Sequence, residues 1–103
     1  MSLHRTIESA SIQTFTTDWR VLSDPTATTP EFAAVQAGSA TSPTTFADGS
    51  WDGSYDTDTL RVSAVTPSFG ASGADIELTE GETYAVYMRV GTEVVFAFTL
   101  RVN

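Results

Sequence analysis

The sequence contains no cysteine and no lysine, and its single histidine, His4, lies close to its start. Without cysteine, the chain can form neither a disulfide framework nor a thiolate zinc site. One histidine near a chain end also leaves little material for a Ser-His-Asp or Cys-His catalytic arrangement. We therefore expect a protein that is not an enzyme and that holds no metal and no other cofactor.

Positive charge is scarce as well. Five basic residues, all of them arginine, stand against 13 acidic residues, and the formal net charge is −8. The arginines are scattered singly, so the sequence lacks the basic stripe with which proteins grip a nucleic-acid backbone. This balance favours a positively charged or neutral partner, and it leaves open a protein that mimics DNA or a small acidic inhibitor of a basic enzyme.

Long apolar runs are missing too. No stretch approaches the roughly 18 apolar residues of a membrane span. Residues 1–15 lack the apolar run of about 7–15 residues that marks a secretory signal peptide. We expect no contact with a membrane, and the length of 103 residues fits a single domain over residues 1–103.

The apolar residues that are present alternate with polar ones, and no helical period appears. The clearest pattern covers two consecutive runs, residues 83–90 and 94–103, and predicts two antiparallel strands. A hairpin should join them through Gly91-Thr92-Glu93, where Gly91 can take a positive φ. The predicted inner-face residues of the two strands are Tyr84, Val86, Met88, Val90, Val94, Phe96, Phe98, Leu100 and Val102.

Weaker alternation upstream predicts further strands over residues 5–10, 19–23, 31–37 and 60–65, and a short strand or a turn over residues 76–78. Residues 31–37 are rich in alanine and could instead form a short helix. Residues 38–45 and 68–74 are small-residue stretches that should be surface loops. About seven short strands separated by turn signals predict an all-β fold, a single antiparallel β-sandwich.

One sequence motif indicates a specific structural feature. Leu78, Gly81 and Tyr84 have the spacing Leu-x-x-Gly-x-x-Tyr, directly before an alternating strand. This resembles the tyrosine corner of immunoglobulin and fibronectin type III sandwiches, in which the tyrosine hydroxyl bonds to backbone at the turn entering the penultimate strand. The resemblance implies a buried leucine below the corner, and Trp19 would suit the central core tryptophan of such domains.

A broader resemblance runs along the chain. The residues that carry it are Asp24-Pro25-Thr26, Pro30-Glu31-Phe32-Ala33, Trp51 in an acidic segment, the corner with the strand Tyr84-Ala85-Val86-Tyr87-Met88-Arg89-Val90, and the final Leu100-Arg101-Val102. This succession is similar to small virion proteins of tailed bacteriophages of actinobacteria. The resemblance implies an immunoglobulin-like accessory subunit that docks on a larger lattice, foremost as a capsid decoration or minor head protein and alternatively on the tail.

That resemblance also implies partners and a location. The partners would be other virion proteins of the capsid or tail lattice, and the protein could also form a homo-oligomer. We expect it to bind neither nucleic acid nor a membrane. The protein would belong to the virion and be assembled in the host cytoplasm. The alternative function is a β-sandwich module that binds carbohydrate or protein, as an accessory domain of a tail or an adhesin.

The most conspicuous segment, residues 48–58, repeats Asp-Gly-Ser-aromatic and carries Asp48, Asp52, Asp56 and Asp58. Calcium binding is one interpretation, although carboxylates every four residues do not match an EF-hand. Trp51 and Tyr55 could stack on a sugar or anchor a protein contact. They could equally point to one side of a strand and pack as core residues.

The outward face of the C-terminal hairpin is the second candidate contact. By the alternation, Tyr87, Val95 and Ala97 lie there, and they are less polar than a solvated face should be. Either loops cover this face or a neighbouring subunit does. The candidate binding residues from the sequence are Trp51, Tyr55, Tyr87 and Val95.

Overall fold

A computed structural model describes residues 4–8, 11–39, 42–43 and 45–103. These residues form eleven strands and no helix. Residues 9 and 10 of the first predicted strand, and residues 40, 41 and 44 of the predicted 38–45 loop, lie outside the described part. The strands are β1 (His4–Ile7), β2 (Ile12–Gln13), β3 (Thr16–Arg20), β4 (Glu31–Gln36), β5 (Ala47–Asp48), β6 (Ser50–Asp56), β7 (Arg61–Val65), β8 (Phe69–Gly70), β9 (Ile76–Glu77), β10 (Thr83–Val90) and β11 (Glu93–Val102).

The largest sheet has five strands in the order β1-β11-β10-β4-β5. Its centre is the predicted hairpin of β10 and β11, which is confirmed. Val90 faces Glu93, so only Gly91 and Thr92 form the turn, and Gly91 has a φ of 63°. Positive φ at the first turn residue alone defines a type II′ turn, whose twist suits two antiparallel strands. β4 is a strand, not the alternative short helix.

Two three-stranded sheets complete the fold, with orders β3-β7-β6 and β2-β8-β9. The all-β prediction is confirmed, and the arrangement is compatible with a β-sandwich. The count of about seven strands in one sandwich is wrong, because the described residues form eleven strands in three sheets. The sequence pattern missed β2, β5 and β8 because each is only two residues long, too short for alternation to register. It also left β6 undecided between strand and binding loop.

The core combines side chains from all three sheets. Phe32 and Phe98 from the large sheet are fully buried, as are Ala64 of β7 and Phe69 of β8. The rings of Phe69 and Phe98 meet edge to face, with 6.3 Å between centroids, a favoured geometry for buried aromatics. Trp19, expected at the centre of the core, is only partly buried and packs against this cluster from outside it.

Two close approaches fix the connections around this core. Tyr84 accepts a hydrogen bond at its hydroxyl from the backbone N–H of Thr79, over 2.8 Å. Gly81, at the turn between them, has a φ of 88°, and Leu78 is buried below it. The predicted tyrosine corner is therefore present. At Gly49, a Cβ atom would overlap the ring of Phe32 and the carbonyl oxygen of Val65, so only glycine fits between β5 and β6.

Candidate functional site

A β-bulge divides the hairpin into two halves. Val86 faces Phe98, but the next residue, Tyr87, faces Phe96, which leaves Ala97 as an extra residue in β11. An inserted residue reverses which side chains point to each face of the sheet. Beyond the bulge, therefore, Val95 points inward and packs against the core.

This bulge corrects two expectations from the alternation. Val95 is not an outward contact residue, because it faces Met88 on the inner side of the sheet. Val94 and Phe96, expected to point inward, lie instead on the outer face, where they are 46% and 47% exposed. Tyr87 stays on the outer face as expected.

These outward residues form one surface, which we call the aromatic patch: Tyr87, Val94 and Phe96. The rings of Tyr87 and Phe96 meet edge to face, with 6.0 Å between their centroids. Such pairing holds two large side chains in a fixed arrangement, so less side-chain conformational entropy would be lost when a partner binds. The patch is therefore a preorganised apolar surface at the turn end of the hairpin.

An ion pair with no net charge lies at one side of the aromatic patch. Arg89 donates from its Nε and from a terminal nitrogen to the two carboxylate oxygens of Glu31, at 3.1 Å and 3.2 Å. Its guanidinium also lies 3.9 Å from the centre of the Phe46 ring. A two-pronged pair stacked on an aromatic ring is well ordered, and it presents little net charge to a partner.

Loop residues cover only part of the outer face. Ala33, which faces Tyr87 across the sheet, is 2% exposed, and Pro43 and Phe46 lie over this side. A groove of about 470 Å³ runs between these loop residues and the strand residues Tyr87 and Val94. Of the two explanations for the apolar outer face, loop cover thus holds near Ala33, whereas Val94 and Phe96 remain uncovered by the described residues.

The other two candidates, Trp51 and Tyr55, lie on β6 and are half-buried. The Trp51 indole N–H donates to the carbonyl oxygen of Thr28 at 2.8 Å, and its ring stacks on Trp19 at 6.0 Å. The Tyr55 hydroxyl donates to the carbonyl oxygen of Val21 at 2.7 Å. The indole N–H of Trp51 and the hydroxyl of Tyr55 thus both bind backbone carbonyls of the segment between β3 and β4. Such contacts are typical of residues that stabilise the fold.

The aspartates of residues 48–58 do not converge. Asp56 accepts hydrogen bonds from the backbone N–H groups of Asp58 and Thr59, and these bonds lower the pKa of its carboxyl. Such a side-chain bond to backbone two residues ahead stabilises the turn between β6 and β7. Within the described ranges, no three His, Cys, Asp or Glu residues group closely enough to hold a metal ion.

The sequence matches no protein-family model and no curated protein. In the part of the chain that the structure describes, no helix could span a membrane.

Three residues of this site were not among the contact residues predicted from the sequence: Val94, Phe96 and Phe46. The available signal for the first two was that both alternating sets in residues 94–98 are apolar, so either set could have been the inner one. Phe46 sits outside any alternating run and gives no local signal. Its role depends on Arg89, 43 positions away in the sequence (89 minus 46).

Proposed function

We propose that this chain is a non-enzymatic structural protein that docks on a larger protein assembly through the aromatic patch. The observation that carries the proposal is the exposure of Val94 and Phe96 beside Tyr87 on an otherwise well-packed sheet. Exposed apolar side chains grouped on one face are typical of contact surfaces, and aromatic residues are frequent anchors at their centres. Binding would proceed by burial of surface and would need no catalytic group.

The proposed setting is the virion of a tailed bacteriophage, where the protein would decorate or reinforce the capsid, with the tail as the other attachment. The resemblance of the sequence to small virion proteins supports this setting. We further propose that the fold is immunoglobulin-like. The tyrosine corner and the separation of β3-β7-β6 from the sheet that contains β4, β10 and β11 support that finer assignment.

The low charge around the patch suits a protein lattice as partner. Arg89 and Glu31 neutralise one another, and Val94 and Phe96 carry no charge. A contact of this kind is governed by apolar area and shape, so it should tolerate salt. The net charge of −8 would then lie around the contact rather than within it.

Quantitative mass spectrometry of purified phage particles tests this proposal. We expect the chain to be present in a fixed ratio to the major capsid or tail protein, and to remain bound when particles are washed at high salt. Absence from the particles, or a trace amount unrelated to any lattice copy number, would overturn the virion assignment.

The alternative module that binds sugar or protein through Trp51 and Tyr55 has weaker support. A sugar platform needs an exposed aromatic face, and the Trp51 ring is already stacked on Trp19. Calorimetry against a glycan panel, with and without calcium, would distinguish the two functions. Glycan binding that disappears on a folded Trp51→Ala variant would favour the module.

A further inference from the structure

Among the described residues, strand β11 has a neighbour along almost its full length on one side but along only part of the other. Its inner neighbour β10 pairs with it from Glu93 to Arg101. On the opposite side, β1 pairs with residues 99–102 alone, and no described strand lies beside residues 93–98. We call residues 93–98 the open edge. An unpaired strand edge is a template on which another strand can add.

The turn geometry shows which backbone groups this edge offers. In a two-residue turn, the carbonyl of Val90 accepts from the N–H of Glu93, so the backbone groups of Glu93 point toward β10. Orientation alternates along an antiparallel strand. The N–H and C=O groups of Val94 and Phe96 therefore point away from β10, toward the open edge. The same two residues carry the exposed side chains of the outer face.

We propose that the open edge pairs with the open edge of a second copy of this chain, antiparallel and about a two-fold axis centred on Val95. In this register Val94 of each copy lies opposite Phe96 of the other. Both residues direct their backbone groups to the partner strand, so each such pair exchanges two backbone hydrogen bonds. The two five-stranded sheets would join into one continuous sheet.

The register is self-complementary, and this is why the occupant is a second copy. The half-exposed side chains of Val94 and Phe96 would pack side by side on the outer face, where cross-strand apolar pairs are stabilising. Glu93 would face Ala97 of the second copy, so no two carboxylates meet. Residues 94–98 carry no charge at all. A two-fold contact needs one surface that fits itself, and this segment meets that requirement.

Overlap with β1 is also avoided. Pairing centred on Val95 uses residues 93–97 of each copy, whereas β1 occupies residues 99–102. The added strand would thus continue the line that β1 begins on the same side of β11. This inference does not depend on the virion assignment, because it concerns the purified chain alone.

Sedimentation velocity of the full chain over a range of concentrations tests the inference. Val94→Pro removes an N–H that points to the open edge and that makes no bond to β10. Val94→Thr, its matched control, keeps the N–H and nearly the same shape. We expect the wild type and Val94→Thr to dimerise reversibly, and we expect the Val94→Pro dimer to be at least about tenfold weaker.

A second variant covers the case in which Val94→Pro fails to fold, as judged by circular dichroism. Val94→Lys keeps the N–H but places a charge beside Phe96 of the second copy, and it should weaken the dimer similarly. Salt should strengthen the wild-type dimer, because each copy carries a net charge of −8. A wild type that stays monomeric up to about 1 mM, or a folded Val94→Pro variant that dimerises as the wild type does, would overturn the proposal.

Discussion

Phe96 and Phe98 lie two residues apart on one strand, yet they occupy opposite faces of its sheet: Phe98 is 1% exposed and Phe96 is 47% exposed. Regular alternation would place them on the same face. The extra residue Ala97 between them separates the buried half of the hairpin from the half that carries the aromatic patch. The proposed contact surface exists because of this single insertion.

The placement of the bulge predicts unequal costs for two chemically identical substitutions. Phe98→Ala should lower the free energy of unfolding by about 4 kcal/mol, because it leaves a cavity in the core. Phe96→Ala should change it by less than about 1 kcal/mol, since the side chain is half in solvent. Urea unfolding of both variants is the measurement. Equal losses would place both rings in the core and would contradict the bulge.

The hairpin also shows what the sequence could and could not predict. Alternation identified both strands and the position of the turn, because one apolar face per strand is enough for that. It could not locate the bulge, because residues 94–98 are apolar on both faces and neither set is marked as the inner one. The tyrosine corner was predictable residue by residue, since Leu78, Gly81 and Tyr84 are close in sequence.

The remainder of the site depends on contacts between distant residues. Arg89 gains its orientation from Glu31 on a neighbouring strand and from Phe46 in a loop. Trp51 and Tyr55 were open to several interpretations because their burial depends on the segment that contains Val21 and Thr28. No local pattern encodes these approaches, so they follow only from the folded chain.

The tyrosine corner predicts a hydrogen bond that contributes to stability. Tyr84→Phe removes the hydroxyl that accepts from the Thr79 N–H, and we expect a loss of about 1 kcal/mol in unfolding free energy. Tyr87→Phe is the matched control, because none of the described residues bonds the Tyr87 hydroxyl. Chemical denaturation measures both. If Tyr87→Phe were as destabilised as Tyr84→Phe, the hydrogen bond of the tyrosine corner would have no particular role in stability.

A stability test of Trp51 separates a structural residue from a binding residue. Trp51→Ala removes the stacking on Trp19 and the bond to Thr28, and it should cost about 2 kcal/mol for a half-buried side chain. Thermal unfolding provides the readout. An unchanged melting temperature would show instead that the ring is available to a ligand.

The turn after β6 predicts a dependence of stability on pH. Backbone bonds from Asp58, and then from Thr59, lower the pKa of Asp56 below its ordinary value of 3.8. Between the two pKa values the unfolded chain binds more protons than the folded chain. The contribution of Asp56 to the free energy of unfolding is therefore complete above pH 3.8, and it is lost as the pH falls through the lower folded-state pKa.

Asp24 acts in the same direction, because the hydroxyl and then the backbone N–H of Thr26 lower the pKa of its carboxyl.

Asp56→Asn keeps an oxygen acceptor but removes the charge, so its stability should fall less steeply on acidification than that of the wild type. Urea unfolding over the acidic range, together with an NMR titration of Asp56, measures this. Parallel pH profiles for the two proteins would contradict the prediction.

The most direct test of the docking surface is hydroxyl-radical footprinting of the chain free in dilute solution and bound in purified phage particles. Tyr87 and Phe96 should lose reactivity in the particles, because the aromatic patch is covered there, while Trp51 and Tyr55 should react equally in both states. Unchanged reactivity at Tyr87 and Phe96, with protection at Trp51 and Tyr55 instead, would contradict docking through the aromatic patch and would favour the binding-module alternative.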